Sequence, residues 1–447
     1  MKNKYVTVED LLHLFAVIFL VFASGGNLFI RSIFLLIASC MLLLIYNCKI
    51  NRSYLMTSIL LIGYVVFDSV IVNTAETDYK EVVLLSVRVL CCAIIATNIS
   101  VKKFRALFLR LITFLALISL FFFFLVIIGV DLPFSKGVEG VYGAFYHTVG
   151  HGDGLNSIIR FRNCGIFTEP GIFQIYLNTA LLLLPNTEGI SSKIMKIYFV
   201  ILSLALVTTR SSMGYLIYAL VLCKYYVDGV TFFGTKETVS KKKRTLLFGL
   251  AVVGIVSFEL LTDIVGNFIA ATNSFSSRHD DILLTFKMAA DYPIFGIGLA
   301  TDPIPVWDEY YETYSSLRLY KAYQNAMSCG IGNYLAMGGI PFSLIYIYCM
   351  MKSYIKLIGC KVKLACLISG VIVLMIIFEE PLLPAPFFLM AFFAGQKNTR
   401  VVYGERRNEC VVDRLSTVAC NFTCNQPGDA NCNGRMVTRC CGYNLQA

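Results

Sequence analysis

The chain has 447 residues, 57% of them hydrophobic and 15% charged, with a net charge of +10. A soluble protein of this size carries roughly a quarter charged residues to solvate its surface. A soluble multidomain enzyme, a fibrous protein and a disordered chain are therefore excluded, and the chain reads as an all-α polytopic membrane protein.

A helix crossing hydrocarbon needs roughly 20 mostly apolar residues, because only bonds within the helix satisfy its backbone there. Such runs lie near 8–24, 27–47, 54–73, 81–98, 106–130, 166–186, 194–209, 212–229, 246–269, 327–351, 364–378 and 384–395. They predict about 12 transmembrane helices, with 11–13 as the range, because the seventh is short and the last two are interrupted by Glu379, Glu380, Pro381 and Pro384. No small-residue cleavage site follows the first run, so it reads as a retained anchor.

Cytoplasmic N- and C-termini put the Lys/Arg-rich loops on one side. These carry Lys49 and Arg52, Lys102 to Arg105, Lys193 and Lys196, Lys236 to Arg244, and Lys352 to Lys363. The opposite loops are acidic or mixed, with Glu76, Asp78, Asp131, Glu139, Asp302 and Asp308. Lys/Arg asymmetry in short loops sets orientation. The positive charge therefore faces anionic lipid, and no nucleic-acid partner is expected. Two outward segments, 131–165 and 270–326, are too long to be simple connectors and are expected to be folded and functional.

The expected domains are a membrane domain over 1–396 with catalytic outer loops, and a cytoplasmic tail over 397–447. Six of the sixteen cysteines crowd that tail, without the paired knuckles of a zinc site. It reads as a disordered extension. Most of the others fall in the apolar runs, where a free thiol packs as a small hydrophobe.

Ionisable residues inside spans are functional candidates by default. Arg31 and Arg110 lie near span ends and can snorkel. Arg88 and Asp68 should reach similar depths on antiparallel spans and are expected to pair. Glu259 has no obvious partner.

The richest stretch runs from Arg160 to Phe173. Two arginines, Arg160 and Arg162, end the first long loop, and Glu169-Pro170-Gly171 opens the next helix. Pro170 suits a helix start, whose first N–H groups lack partners, and Glu169 is favoured there by the helix dipole. The reading in chemical terms is anion capture beside a carboxylate base, since guanidinium forks match phosphate oxygens. The plain alternative is snorkelling arginines and a capped helix. Arg210 lies in a tight outer turn, Thr208 to Gly214, where an interfacial anchor is the bland alternative. Ser277 and Asp280 have capping-box spacing and predict a helix from about 278 to 291, with Ile282, Phe286 and Ala289 on one face and Arg278 and His279 in its first turn. Pro293 should stop it. Asn325 precedes the tenth span, whose Gly332, Gly338 and Gly339 suit close packing.

In this order the pieces resemble the O-antigen polymerase and ligase superfamily of bacterial inner-membrane proteins. The matching features are R-x-x-G-x-F-x-E-P-G (Arg162 to Gly171), T-x-R-S-x-x-G (Thr208 to Gly214) and S-R…P-x-F-G-x-G (Ser277 to Gly298). Asn325 before a Gly-rich span and a final Pro-containing hairpin complete them, so the likeness covers about 155–395. Polymerases of the family are described with an Arg-x10-Gly signature, which Arg160 to Gly171 fits and Arg318 to Gly330 misses by one residue. Ligases typically carry His immediately before the Asn; Gln324 stands there, which favours the polymerase.

The resemblance implies a glycosyltransferase that joins oligosaccharide repeats carried on undecaprenyl diphosphate, at the outer (periplasmic) face of the bacterial cytoplasmic membrane. It implies a chain-length regulator and a flippase as partners beside membrane lipid. The residue inventory suits a diphosphate leaving group, which needs cations where charge develops. Arg160, Arg162, Arg210 and Arg278 can supply them, so neither metal nor cofactor is expected. Glu169 is the first candidate for the base that positions the acceptor hydroxyl, followed by His279, then His147 or His151. Catalytic roles are thus expected for Glu169, Arg210 and Arg278, and substrate binding for Arg160, Arg162, His279 and Asn325. An O-antigen ligase is the nearer alternative. A lipid-linked-oligosaccharide flippase or other transporter is the further one, although transporters usually place polar sites at the midplane with internal repeats.

Overall fold

A computed structural model of the chain describes residues 7–23, 28–46, 50–72, 79–130, 161–167, 169–188, 190–228, 230, 282–300, 330–359 and 363–379. Three short strands between 135 and 149 and short pieces between 306 and 313 complete the described set. The described chain is mostly helical: α1 (Val8–Phe22), α2 (Leu28–Ile45), α3 (Arg52–Val66), α4 (Tyr79–Asn98), α5 (Val101–Ile127), α6 (Pro170–Leu183), α7 (Ser192–Thr209), α8 (Ser212–Val227), α9 (282–291), α10 (Gly330–Ile358) and α11 (Lys363–Glu379). Polar side chains start many of these helices by taking otherwise orphaned N–H groups. Thr7 and Asp10 form a reciprocal capping box on α1, and Asn51, Ser100, Ser191 and Ser211 cap α3, α5, α7 and α8.

Among the described residues, five helices are long and apolar enough to cross a membrane: Arg52–Val70, Tyr79–Asn98, Val101–Ile127, Ser192–Thr209 and Gly330–Ile358. Three shorter apolar helices, Ser32–Leu44, Met213–Val227 and Lys363–Ile377, accompany them. This fits an all-α membrane protein and falls short of the twelve expected crossings. Part of the difference is physical. The run at 166–186 does not begin as helix at 166, because strand β4 and its turn occupy 162–167, and α6 is only 14 residues long. The runs at 246–269 and 384–395, Glu259 and the 397–447 tail lie outside the described residues.

The packing is inverted relative to a soluble protein. On α5, Phe114, Leu117, Phe121 and Phe124 form an exposed stripe at helical spacing, while Thr113 and Ser119 are buried. Leu344, Ile345 and Tyr348 on α10 and Leu367 on α11 are likewise exposed, as lipid-facing side chains are. Buried hydroxyls are satisfied locally: Ser39, Ser58, Thr113, Ser343 and Ser369 each donate to the carbonyl four residues earlier, the route a waterless interior leaves open.

Helices α1 to α4 form one side, α1 on α2, α2 on α4 and α3 on α4, and α1 also meets α5. At the centre lies α6, touched by α5, α7, α8, α10 and α11, and every residue from Phe173 to Leu183 is buried. Part of the segment 131–165, expected to face outward, forms a four-stranded antiparallel meander, β1 (Ser135–Gly137), β2 (Gly140–Gly143), β3 (Tyr146–Val149) and β4 (Arg162–Gly165). Lys136 pairs with Val141, Tyr142 with His147 and Thr148 with Asn163, and the register shifts between His147 and Thr148. Strand β4 rests on α5, α6 and α7, which brings the first motif into the bundle.

Candidate functional site

Two antiparallel neighbours define one end of the bundle. Helix α6 begins there and α7 ends there, and a two-residue turn, Arg210-Ser211, returns the chain into α8. Glu169 is the residue before α6. It is extended and exposed, its side chain caps nothing, its carbonyl accepts from Phe173 N–H at 3.2 Å, and Pro170 takes the first helical position. A carboxylate is thereby held at a positive helix end without being consumed by it.

Arg210 is the one non-glycine residue with positive φ among the described residues, at φ 48° and ψ 43°. Helices commonly end on such a left-handed residue, but it is usually glycine, because a Cβ is strained there. The arginine is half-buried between fully buried Thr209 and buried Ser211. Burial lowers its pKa from the ordinary value, with the neighbouring Tyr215 opposing. A strained backbone holding a partly desolvated cation is the kind of outlier from which a functional role is inferred.

Arg162 reaches the same turn. Its Nε donates to the Thr209 carbonyl at 3.1 Å, one of the carbonyls a helix end leaves unpaired. The two motifs expected to carry cations are thus docked on each other across 47 residues. Glycines make the approach possible. Gly165, at φ +59°, lies with Phe173 against it, where a Cβ would meet the ring at 3.0 Å; at Gly214 a Cβ would meet Gln174 Cβ at 3.0 Å. Asn178 Nδ2 donates to the Gly214 carbonyl at 3.1 Å and to Gln174 Oε1 at 2.9 Å, tying α6 to α8.

The third motif has a different task. After α9, Pro293 to Gly298 runs along α10 where that helix breaks at Gly339, φ 70° and ψ 173°. Backbone meets backbone: Ile297 N–H donates to Ala336 O at 2.8 Å, Gly298 N–H to Met337 O at 3.1 Å, and Ile340 N–H to Pro293 O at 2.9 Å. Tyr64 Oη donates to Gly338 O at 2.7 Å. The groups freed by the break are satisfied by the docked segment, as irregular backbone at membrane depth requires. A Cβ on Gly296 would lie 2.5 Å from Met337, and one on Gly339 2.3 Å from the Ile294 carbonyl oxygen. Asp68, fully buried in a π-helical turn (Phe67–Val72), accepts from Leu299 N–H at 3.0 Å. Arg88, its expected partner, is buried as well.

Of the expected site residues, Glu169, Arg162 and Arg210 are brought to one end of the bundle. Arg160, Arg278, His279 and Asn325 lie outside the described residues, as does His151. The helix expected over 278–291 is described from 282, its expected first turn lying outside the described residues; its buried residues are Leu284, Thr285, Met288 and Ala289, while Phe286 of the expected face is 51% exposed. The cause is Gly332 of α10, whose missing side chain lets Thr285 come within 2.3 Å of the position a Cβ would take. Sequence reasoning passed over Asn163, which ties β4 to two helices, and the buried Lys224–Asp228 pair at 2.6 Å on α8. The first stood inside a motif between an Arg and a Cys; the second was signalled by its i, i+4 spacing. No protein-family model matches the chain, and no curated protein matches it.

Proposed function

We propose that this chain is a membrane glycosyltransferase that polymerises oligosaccharide repeats carried on a lipid diphosphate, building O-antigen or a related surface polysaccharide. In this reading it crosses the bacterial cytoplasmic membrane about 12 times, with both termini inside and the site facing the periplasm. One observation carries the proposal: Arg162 bonds the turn that presents a left-handed, half-buried Arg210, at the end where exposed Glu169 opens α6.

In the proposed reaction the growing chain leaves its lipid diphosphate and passes to a hydroxyl of the next lipid-linked repeat. Charge develops on the departing diphosphate, and preorganised guanidinium groups in a partly desolvated site stabilise it most where it forms. Arg210 and Arg162 are assigned to that role, together with Arg160 and Arg278. Glu169 takes the proton from the acceptor hydroxyl. His279 and Asn325 are assigned to substrate binding.

Deleting the gene and resolving the surface polysaccharide on a gel tests the proposal. Loss of a polymerase leaves single repeats attached to the lipid core. No attached glycan, with long chains held on carrier lipid, would identify a ligase instead. Unpolymerised units trapped on the cytoplasmic side would identify a flippase.

A further inference from the structure

We infer that Asn163 is a positioning residue of this site, locking the strand that carries Arg162 to the turn that carries Arg210; the inference rests on the arginine-site reading above. Asn163 is fully buried. Its Nδ2 donates to Ser119 Oγ of α5 at 3.2 Å and to Thr208 Oγ1 of α7 at 2.9 Å, and its Oδ1 accepts from Gly165 N–H at 3.0 Å.

The direction of these bonds makes the choice of residue specific. Ser119 gives its own proton to the Ala116 carbonyl at 2.8 Å, and Thr208 gives its proton to the Ala205 carbonyl at 2.7 Å. Toward Asn163 both hydroxyls can therefore only accept. Two acceptors facing one buried position require a group with two donors on a short stem, which the Asn carboxamide is. Asp offers none, Ser offers one, and Gln is a methylene longer. The bond to Thr208 bears on the site directly, because Thr209, bonded by Arg162, and Arg210 follow it in the chain. The bond to Ser119 holds the same amide from the far side, on α5, away from the turn.

Thr208→Val and Ser119→Ala form a matched pair. Each removes one acceptor from the same amide, so their losses of unfolding stability should be similar. Only Thr208→Val removes the amide's tie to the arginine turn, leaving the Arg162–Thr209 bond to hold the strand there alone. Binding of farnesyl diphosphate to the full-length protein in detergent reads the consequence. Thr208→Val is expected to weaken it by about tenfold or more, as misplaced positioning groups do. Ser119→Ala should leave it near wild type, and Thr208→Ser, which restores the hydroxyl, should recover it. Equal weakening in the matched pair, or none in either while Arg210→Gln abolishes binding, overturns the positioning role and leaves the arginine site standing. A wild type that ignores the probe, or an Arg210→Gln variant that binds it fully, overturns both.

Discussion

Arg210 sits where conformation alone would select glycine, and that conflict can be measured. A non-glycine residue in the left-handed region costs roughly 1–2 kcal/mol. Glycine gives back about 0.4–1 kcal/mol of this through the greater freedom of its unfolded chain. Arg210→Gly and Arg210→Ala both remove the guanidinium and differ only in the Cβ, so the glycine variant should be about 0.5–1 kcal/mol the more stable. The comparison is read by denaturant unfolding of both in the same detergent. Relief of the half-buried charge favours both variants over wild type to the same extent. Activity should move the other way. Both variants lose a group assigned to the developing charge, and removal of one such donor costs about 10²–10³ in rate. The polysaccharide ladder should therefore vanish from the more stable protein as from the less stable one. If the alanine variant matches the glycine variant in stability, the left-handed turn is refuted. If Arg210→Gly keeps a full ladder, the guanidinium has no part in the reaction.

The docking of the Pro293–Gly298 segment should fail in Gly339→Ala, whose Cβ would fall 2.3 Å from the Ile294 carbonyl oxygen. A loss of about 3 kcal/mol or more is expected in unfolding, whereas Gly370→Ala, with its nearest neighbour at 3.6 Å, should change stability by no more than about 1 kcal/mol. Asp228→Asn should strand the buried Lys224 ammonium and cost about 3–5 kcal/mol, and the double change Lys224→Met with Asp228→Leu should return stability close to wild type. Asp291 accepts from Lys287 Nζ at 2.9 Å and from Tyr310 Oη at 2.8 Å, and these bonds, the lysine's first, hold its pKa below the ordinary carboxylate value. A lowered carboxylate pKa gives stability that is present above the unfolded value and lost as pH falls through the folded one. Acid titration should therefore weaken the Tyr310 tie to the end of α9, and Asp291→Asn should remove that pH dependence; an unchanged acid profile in the variant would show that the ties contribute nothing.

What the sequence made legible follows from the range of the interactions involved. Pro170 opened α6 as its sequence position implied, and Pro293 followed the end of α9 as expected, because a missing N–H acts locally. The arginine end of the bundle was readable for a related reason: α7 and α8 are joined by two residues, so Arg210 had to sit in a turn. The shared face of Ile282, Phe286 and Ala289 did not reveal which side of α9 packs inward, because the side chain that fits against Gly332 is a threonine and Phe286 stays exposed.

The glycine motif at Gly296 and Gly298 shows the deeper obstacle. Its purpose is to hydrogen-bond Ala336 and Met337, and nothing within the motif names carbonyls some forty residues away. Those carbonyls are free because α10 breaks at Gly339 and because Pro341, four residues after Met337, has no N–H to offer, and the break is tolerable because the segment and Tyr64 satisfy it. Each half is unreasonable without the other: a helix broken inside an apolar span, and a glycine-rich strip with nothing to bond. Two local anomalies that cancel on contact are therefore a better guide to packing than either motif read alone. The same logic joins Arg162 to the carbonyl left open at the end of α7, so the candidate site and the docked segment were built by one rule.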